Sequence, residues 1–170
     1  MAKIQSVQKI DRENDLQNAE GLKIGVVTAR WNPDVTGKLE EGALRALREM
    51  GCAEGDIRAV SVPGSFEVPL AVKALLEVGC DGVIALGAVI RGETTHYDYV
   101  CSSVERGCTE LQLRFGKPVG FGILTTENDE QAHDRAGGKH GNKGAECAQV
   151  VVEMVRLLDG INSTGSIGIR

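Results

Sequence analysis

Apolar positions along the chain fall into two alternating patterns. Residues 22–28, 57–62, 82–89 and 119–124 are short runs dominated by small or apolar side chains. That is the length and character of strands buried on both faces, as in a parallel sheet. Between the runs, apolar residues recur every three or four positions. After the first run come Val35, Leu39, Ala43, Ala46, Leu47 and Met50; after the third come Tyr97, Val100, Cys101, Val104, Cys108 and Leu111. Both sets mark one buried helix face. Asn32-Pro33-Asp34 reads as a helix start, with Asn32 as N-cap, Pro33 at the first helical position and Asp34 in the positive first turn. Gly51 stops that helix. Pro63-Gly64 breaks the second run, and Ser65 caps a helix reaching about residue 78, with Glu67 in its first turn and Pro69 near its start. Gly116-Lys117-Pro118 ends the third helix. Asn128 caps a short helix to about residue 136, residues 137–144 form a turn, and a last helix covers about residues 145–158.

The order β-α-β-α-β-α-β-α-α predicts an α/β fold: a three-layer αβα sandwich around a four-stranded parallel sheet, with right-handed crossovers. Strand-to-helix loops of such a fold meet at the carboxyl edge of the sheet, where ligands bind. Trp31, the 63–67 turn, residues 88–96 and the region from Phe121 to Asn128 therefore converge. No repeat or linker divides the chain, so residues 1–170 read as one domain. Residues 1–20 are polar with sparse apolar positions (Ile4, Val7, Ile10) and read as an arm, a strand in need of a partner. Residues 160–170 read as a flexible tail.

Composition narrows the function classes. The 170 residues carry a formal net charge of -5, which argues against nucleic acid or an anionic membrane as partner. No apolar run approaches the ~20 residues of a membrane span, and the first residues lack the apolar centre of a secretory signal. A cytoplasmic protein is expected. Cys52, Cys80, Cys101, Cys108 and Cys147 form no CxxC pair. Buried, inert thiols are the favoured reading, ahead of metal or redox roles.

The most informative stretch is Gly82 to Cys101. A strand passes into the polar turn Arg91-Gly92-Glu93-Thr94-Thr95-His96 and then a helix start, whose free N–H groups and dipole favour an anion. Threonine caps alone explain the turn equally well. The chain has no GxGxxG or GxxxxGK[ST], which argues against dinucleotide or Walker-type binding. His96, in the first turn, is placed to transfer protons to a bound ligand; a bound phosphate would favour its charged form. Trp31 is either packing or a stacking surface for a flat ring. Pro63-Gly64-Ser65-Phe66-Glu67 is a helix start that also offers backbone groups and a carboxylate. Arg135 is a solvated charge or, if its helix belongs to a neighbouring subunit's site, a bidentate phosphate clamp. Lys139, His140 and Lys143 read as solvated turn residues, with Lys143 the best second cation for a site.

Arg30-Trp31-Asn32, Pro63-Gly64-Ser65-Phe66-Glu67, the run from Gly87 to Tyr97 and Phe121-Gly122-Ile123-Leu124-Thr125-Thr126-Glu127-Asn128 together resemble the 6,7-dimethyl-8-ribityllumazine synthase family, over about residues 22–158. The resemblance implies a flavodoxin-like fold and a cofactor-free, metal-free transferase. It condenses 5-amino-6-(D-ribitylamino)uracil with 3,4-dihydroxy-2-butanone 4-phosphate, the penultimate step of riboflavin synthesis. By the same resemblance Trp31 stacks on the pyrimidine ring. Gly64, Ser65, Phe66 and Glu67 line the ribityl and ring pocket, with Ala88, Val89 and Ile90 along the heterocycle edge. The Glu93–Thr94 turn and Arg135 bind phosphate, and His96 is the catalytic proton-transfer residue. Phe121 of an adjacent subunit closes the pocket, with Lys143 nearby. Glu93 replaces the small residue often found in that turn. Its carboxylate would repel phosphate, so the turn's backbone N–H groups are the expected ligands.

The resemblance further implies pentamers with sites between subunits. The compact 137–144 turn resembles that of members that close twelve pentamers into an icosahedral shell. The N-terminal arm would then pair with a neighbour's sheet, and riboflavin synthase is a candidate partner. Two other classes fit the same fold: a non-catalytic flavin- or pterin-binding module, which would not need His96, and a shell protein with a vestigial site. The intact set Trp31, Glu67, His96 and Arg135 argues against both.

Overall fold

Strand β1 (Ile24–Ala29) is buried along its whole length, and β3 (Gly82–Ile90) along all but its last two residues. Their runs of Val, Ile, Leu, Ala and Gly have no polar face to offer water, so both lie in the middle of the sheet. The computed structural model describes residues 16–165. It shows one parallel sheet in the order β2-β1-β3-β4, with β2 spanning Ile57–Val62 and β4 Val119–Thr126. Helices α1 (Pro33–Glu49) and α5 (Lys143–Gly165) cover one face, where Ile24, Leu39, Leu47, Ile84, Leu86 and Val151 pack together. Helices α2 (Val68–Glu77) and α3 (His96–Phe115) cover the other, over Val27, Val72, Val83, Val104 and Ile123. This is the expected three-layer αβα sandwich. Among the described residues no helix is long and apolar enough to cross a membrane.

Edge strand β2 is different. None of its six residues is buried, and among the described residues the side of the strand away from β1 meets no other strand. Residues 1–15, which hold most of the expected arm, lie outside the described residues. Its described end is tied down: Ala19 N–H donates to Met50 O at 2.8 Å, and Arg156 of α5 donates to Asn18 O and Glu20 O at 2.7 and 2.6 Å.

Several local expectations need correction. Asn32 does not cap α1 with its side chain; it adopts a left-handed conformation (φ 58°) and donates from Nδ2 to Ala88 O at 3.0 Å. Ser65 makes no cap either. Residues Ser65–Glu67 form a 3₁₀ turn, and the Glu67 carboxylate reaches back to the N–H of Gly64. Strand β4 continues past Leu124 because Thr125 and Thr126 pair with Val89 and Ile90, a ladder that polar side chains conceal in the sequence. Helix α4 (Asp129–Arg135) starts as predicted, with Asn128 Oδ1 accepting from Gln131 N at 2.9 Å. The glycine-rich turn after it contains a small antiparallel hairpin, β5 (Ala136–Gly138) and β6 (Gly141–Asn142). Asn142 then starts α5 early: its Oδ1 accepts from Ala145 N at 3.1 Å while its Nδ2 donates to Lys38 O at 2.8 Å. At its other end α5 runs to Gly165, so residues 160–165 are helical rather than part of a tail.

Candidate active site

A cleft of about 580 Å³ opens at the carboxyl edge of the sheet, between the loops after β1, β2 and β3. Three segments build it. From the first loop come Trp31 and Asn32; from the second Gly64, Ser65, Phe66 and Glu67; from the third Ala88, Val89 and Ile90 at the end of β3, with His96 and Val100 on the first turns of α3. Parallel strands explain the meeting. Ala29 pairs beside Val62 and Thr28 beside Leu86, so chain segments distant in sequence leave the sheet side by side.

Each segment has its own anchor. The Asn32–Ala88 hydrogen bond ties the first loop to β3 across the floor of the cleft, and accounts for a non-glycine residue at positive φ. The second loop is closed by Glu67 Oε2, which accepts from Gly64 N at 2.9 Å. Gly64 lies under Trp31: a Cβ there would be 3.1 Å from Trp31 Cδ1. Ser65 is buried, and its Oγ occupies the space over Gly87, where a Cβ would approach it to 2.6 Å. His96 is the first residue of α3 and is exposed; its N–H donates to Thr94 Oγ1 at 3.4 Å. Trp31 and Phe66 stand 72% and 60% exposed at the rim, two flat apolar surfaces that no neighbour among the described residues covers fully. Tyr97 and Cys101 follow His96 on α3, and partial burial raises both of their pKa values.

The single chain therefore brings together Trp31, Gly64, Ser65, Phe66, Glu67, Ala88, Val89, Ile90 and His96. It does not bring Glu93, Thr94, Phe121, Arg135 or Lys143 into the same lining. Glu93 and Thr94 are exposed on the loop just before His96. Phe121 pairs with Ala85, three residues before Ala88 in the ladder and so roughly 10 Å further down the sheet. It is 38% exposed on edge strand β4, on the sheet face it shares with Val119 and Ile123. Arg135 ends α4, exposed to solvent. Lys143 starts α5 on the α1 side of the sheet and pairs with Glu146. Two lining residues escaped the sequence reading as site members. Asn32 reads as an ordinary helix cap. Val100 reads as core, although its place one turn after His96 puts it on the same helix face.

Comparison with known proteins shows the family. The sequence profile described as 6,7-dimethyl-8-ribityllumazine synthase matches residues 21–159. The chain is 62% identical over 136 residues to a Bdellovibrio bacteriovorus protein named 6,7-dimethyl-8-ribityllumazine synthase, covering 80% of this chain and 75% of that one. It is 47% identical over 142 residues to a Cytophaga hutchinsonii protein of the same name, covering 83% of this chain and 89% of that one. The matched span takes in every segment of the cleft, and the chain belongs to the 6,7-dimethyl-8-ribityllumazine synthase family.

Proposed function

We propose that the cleft condenses 5-amino-6-(D-ribitylamino)uracil with 3,4-dihydroxy-2-butanone 4-phosphate, releasing 6,7-dimethyl-8-ribityllumazine, phosphate and water. The observation that carries this reading is the grouping of Trp31, Glu67 and His96 around one carboxyl-edge cleft in a chain of this family. Trp31 offers a ring for stacking on the pyrimidine. Ser65 and Glu67 supply polar contacts to the ribityl chain, and Val89 and Ile90 pack along the heterocycle. The turn at Glu93–Thr94 and the start of α3 receive the phosphate through backbone N–H groups.

The chemistry asks little covalent work of the protein. The substrate's own amine attacks the ketone, and loss of water gives an imine. Proton removal next to the imine drives out phosphate and leaves an enol, which takes up a proton on carbon to become a new ketone; attack on that ketone by the ribitylamino nitrogen closes the ring, and its oxygen leaves as a second water. His96 moves the protons. Holding two substrates in line can contribute up to ~7–11 kcal/mol of the barrier reduction, and one acid–base group adds typically ~10²–10⁴-fold.

The site is completed by a neighbouring subunit. Support comes from the half-open rim at Trp31 and Phe66, and from Phe121 and Arg135 lying exposed away from their own chain's cleft. The outer edge of β2, unpaired among the described residues, is a place for a neighbour's arm to add a strand. The compact hairpin at 136–142 favours closure of pentamers into an icosahedral shell. Riboflavin synthase is its candidate partner, and the cytoplasm its compartment.

The direct test mixes the purified protein with both substrates and follows lumazine absorbance against the uncatalysed condensation. Acceleration is expected. Its absence in protein of verified assembly state would overturn the assignment and favour a binding or shell role. A native mass of a lone pentamer at working concentration would overturn the shell.

A further inference from the structure

Arg91 is the first residue after β3, and its one guanidinium reaches both ends of the loop that follows. Its backbone N–H donates to Thr126 O at 2.9 Å, extending the β3–β4 ladder by one step. Its Nε lies 2.9 Å from Glu127 Oε2 and 3.1 Å from Glu127 Oε1, at the end of β4. Its Nη2 donates to Asp98 Oδ1 at 3.2 Å, in the first turn of α3. Its Cζ sits over the Tyr97 ring, 4.0 Å from the ring centre. Both charged partners hold the guanidinium's pKa above its ordinary value.

We propose that Arg91 is a positioning residue for the reaction. It clamps β4, Tyr97 and Asp98 together, and so holds the Gly92–Thr95 turn and His96 in the arrangement that receives the phosphate-bearing substrate. The inference rests on the proposed function for its substrate, but on the structure alone for the clamp. The loop from 91 to 98 has one foot on the sheet and the other in the helix, and the same side chain grips both. Residues 92–96 are exposed, and among the described residues the only side-chain hydrogen bond within the turn is the long one from His96 N to Thr94 Oγ1. Beside the backbone bond from Asp98 N to Thr95 O at 3.0 Å, the clamp is the side-chain restraint that fixes both feet of the turn, and so where its N–H groups point. Lysine cannot reproduce it, because a point charge on a flexible stem neither forks between two carboxylates nor stacks flat on a ring. Direct binding of the phosphate by Arg91 is a different idea, and it makes an opposite prediction. With Nε and Nη2 already committed to carboxylates, freeing the guanidinium would then improve phosphate binding.

Four proteins separate the two: the full-length wild type, Arg91→Met, Arg91→Lys, and the double variant Asp98→Asn with Glu127→Gln. Steady-state kinetics with each substrate varied in turn give kcat and both KM values. Arg91→Met is expected to raise KM for 3,4-dihydroxy-2-butanone 4-phosphate on the order of tenfold to a hundredfold and to lower kcat, since ångström misplacement has costs of that size. KM for the pyrimidine stays close to wild type, and Arg91→Lys recovers part of the loss. The double variant raises the same KM although it removes no cation. Amide hydrogen exchange at residues 92–98, faster in Arg91→Met and in the double variant, reads the clamp without reference to activity. An unchanged KM, an equal rise in both KM values, a lowered KM in the double variant, or unaltered exchange would overturn the clamp. An inactive wild type with faster exchange in the variants would overturn the reaction and leave the clamp standing. If Arg91→Met fails to fold, the double variant carries the same outcomes.

Discussion

Glu67 Oε2 accepts the N–H of Gly64 at 2.9 Å, so a carboxylate on the cleft wall also closes the turn that forms the wall. Shape and ligand chemistry thus share one side chain, and substitutions should split them. Glu67→Gln keeps an acceptor for Gly64 and is expected to leave the melting temperature near that of the wild type while raising KM for the pyrimidine. Glu67→Ala loses the reach-back as well. Loss of such a cap costs about 1 kcal/mol, which for a domain of this size lowers Tm by roughly 2–4 °C. Thermal melts paired with steady-state kinetics check both; equal Tm values for the two variants would refute the dual role.

Gly87 is the second point where packing and site meet. A Cβ there would lie 2.6 Å from Ser65 Oγ and 3.1 Å from Ile123 Cδ1. Gly87→Ala must push Ser65 out of its buried place, and overpacking of this kind costs about 1–3 kcal/mol. The expected result is a lower Tm together with a higher KM for the pyrimidine, because Ser65 lines the cleft. Gly144 tests packing alone: a Cβ there would fall 1.9 Å from Leu39 O, a backbone atom that cannot turn aside. Gly144→Ala is expected to destabilise more than Gly87→Ala. Denaturant midpoints rank the two, and the reverse order would contradict this account.

The sheet was legible in the sequence because β1 and β3 are apolar on both faces, and the strand–helix alternation dictates which loops share an edge. That is why Trp31, the Gly64–Glu67 turn and His96 converge as expected. What stayed hidden was how polar side chains divide their hydrogen bonds. Asn32 has the composition of a helix cap, yet its amide bonds to Ala88 O across the cleft, a partner 56 residues away. Thr125 and Thr126 look like loop and are held in β4 by the neighbouring strand. Asn142 starts α5 from inside a glycine-rich stretch because Lys38, on another helix, fixes its side chain. Strand order also led the region from Phe121 to Asn128 to be expected at the carboxyl edge, yet Phe121 pairs with Ala85, well short of the strand ends, and Arg135 shows in the sequence only as a charge on a short helix.

His96 is exposed at the start of α3 and faces the cleft. His96→Ala is expected to lower kcat on the order of 10²-fold, the contribution of one acid–base group. Turnover persists above the uncatalysed rate because orientation of the two substrates survives. Lumazine formation under saturating substrates measures it; an unchanged kcat would remove His96 from proton transfer.

Arg135 lies outside its own chain's cleft, so its effect should cross subunits. Arg135→Ala is expected to raise KM for the phosphate-bearing substrate more than KM for the pyrimidine, as loss of a bidentate phosphate contact requires. Subunits carrying only His96→Ala and subunits carrying only Arg135→Ala, unfolded together and reassembled, then regain activity. Some mixed sites receive His96 from one chain and Arg135 from its neighbour. A mixture no more active than the average of the two parents would place both residues in the same chain's site, against the shared-site reading.

The buried thiols make stability depend on alkaline pH. Cys108 is 3% exposed and Cys147 is 6% exposed. Burial, with Glu105 adding to it, pushes the Cys108 thiol up to about 12, and burial pushes Cys147 up to about 11, from an ordinary value of 9.0. Between pH 9 and those values the folded chain keeps protons that the unfolded chain releases. The unfolded state therefore binds fewer protons, and stability falls as pH rises, by up to about 1.4 kcal/mol per pH unit for each thiol. Below pH 9 both states hold the protons and the two thiols contribute no slope. Urea midpoints measured from pH 8 to pH 10.5 are expected to decline above pH 9, and to decline less steeply in Cys108→Ala than in the wild type. Tyrosines and lysines titrate in both proteins alike, so the difference in slope isolates the one thiol. Equal slopes would mean that Cys108 ionises as readily in the folded chain as in the unfolded one, which its place on the buried face of α3, between Val104 and Leu111, does not allow.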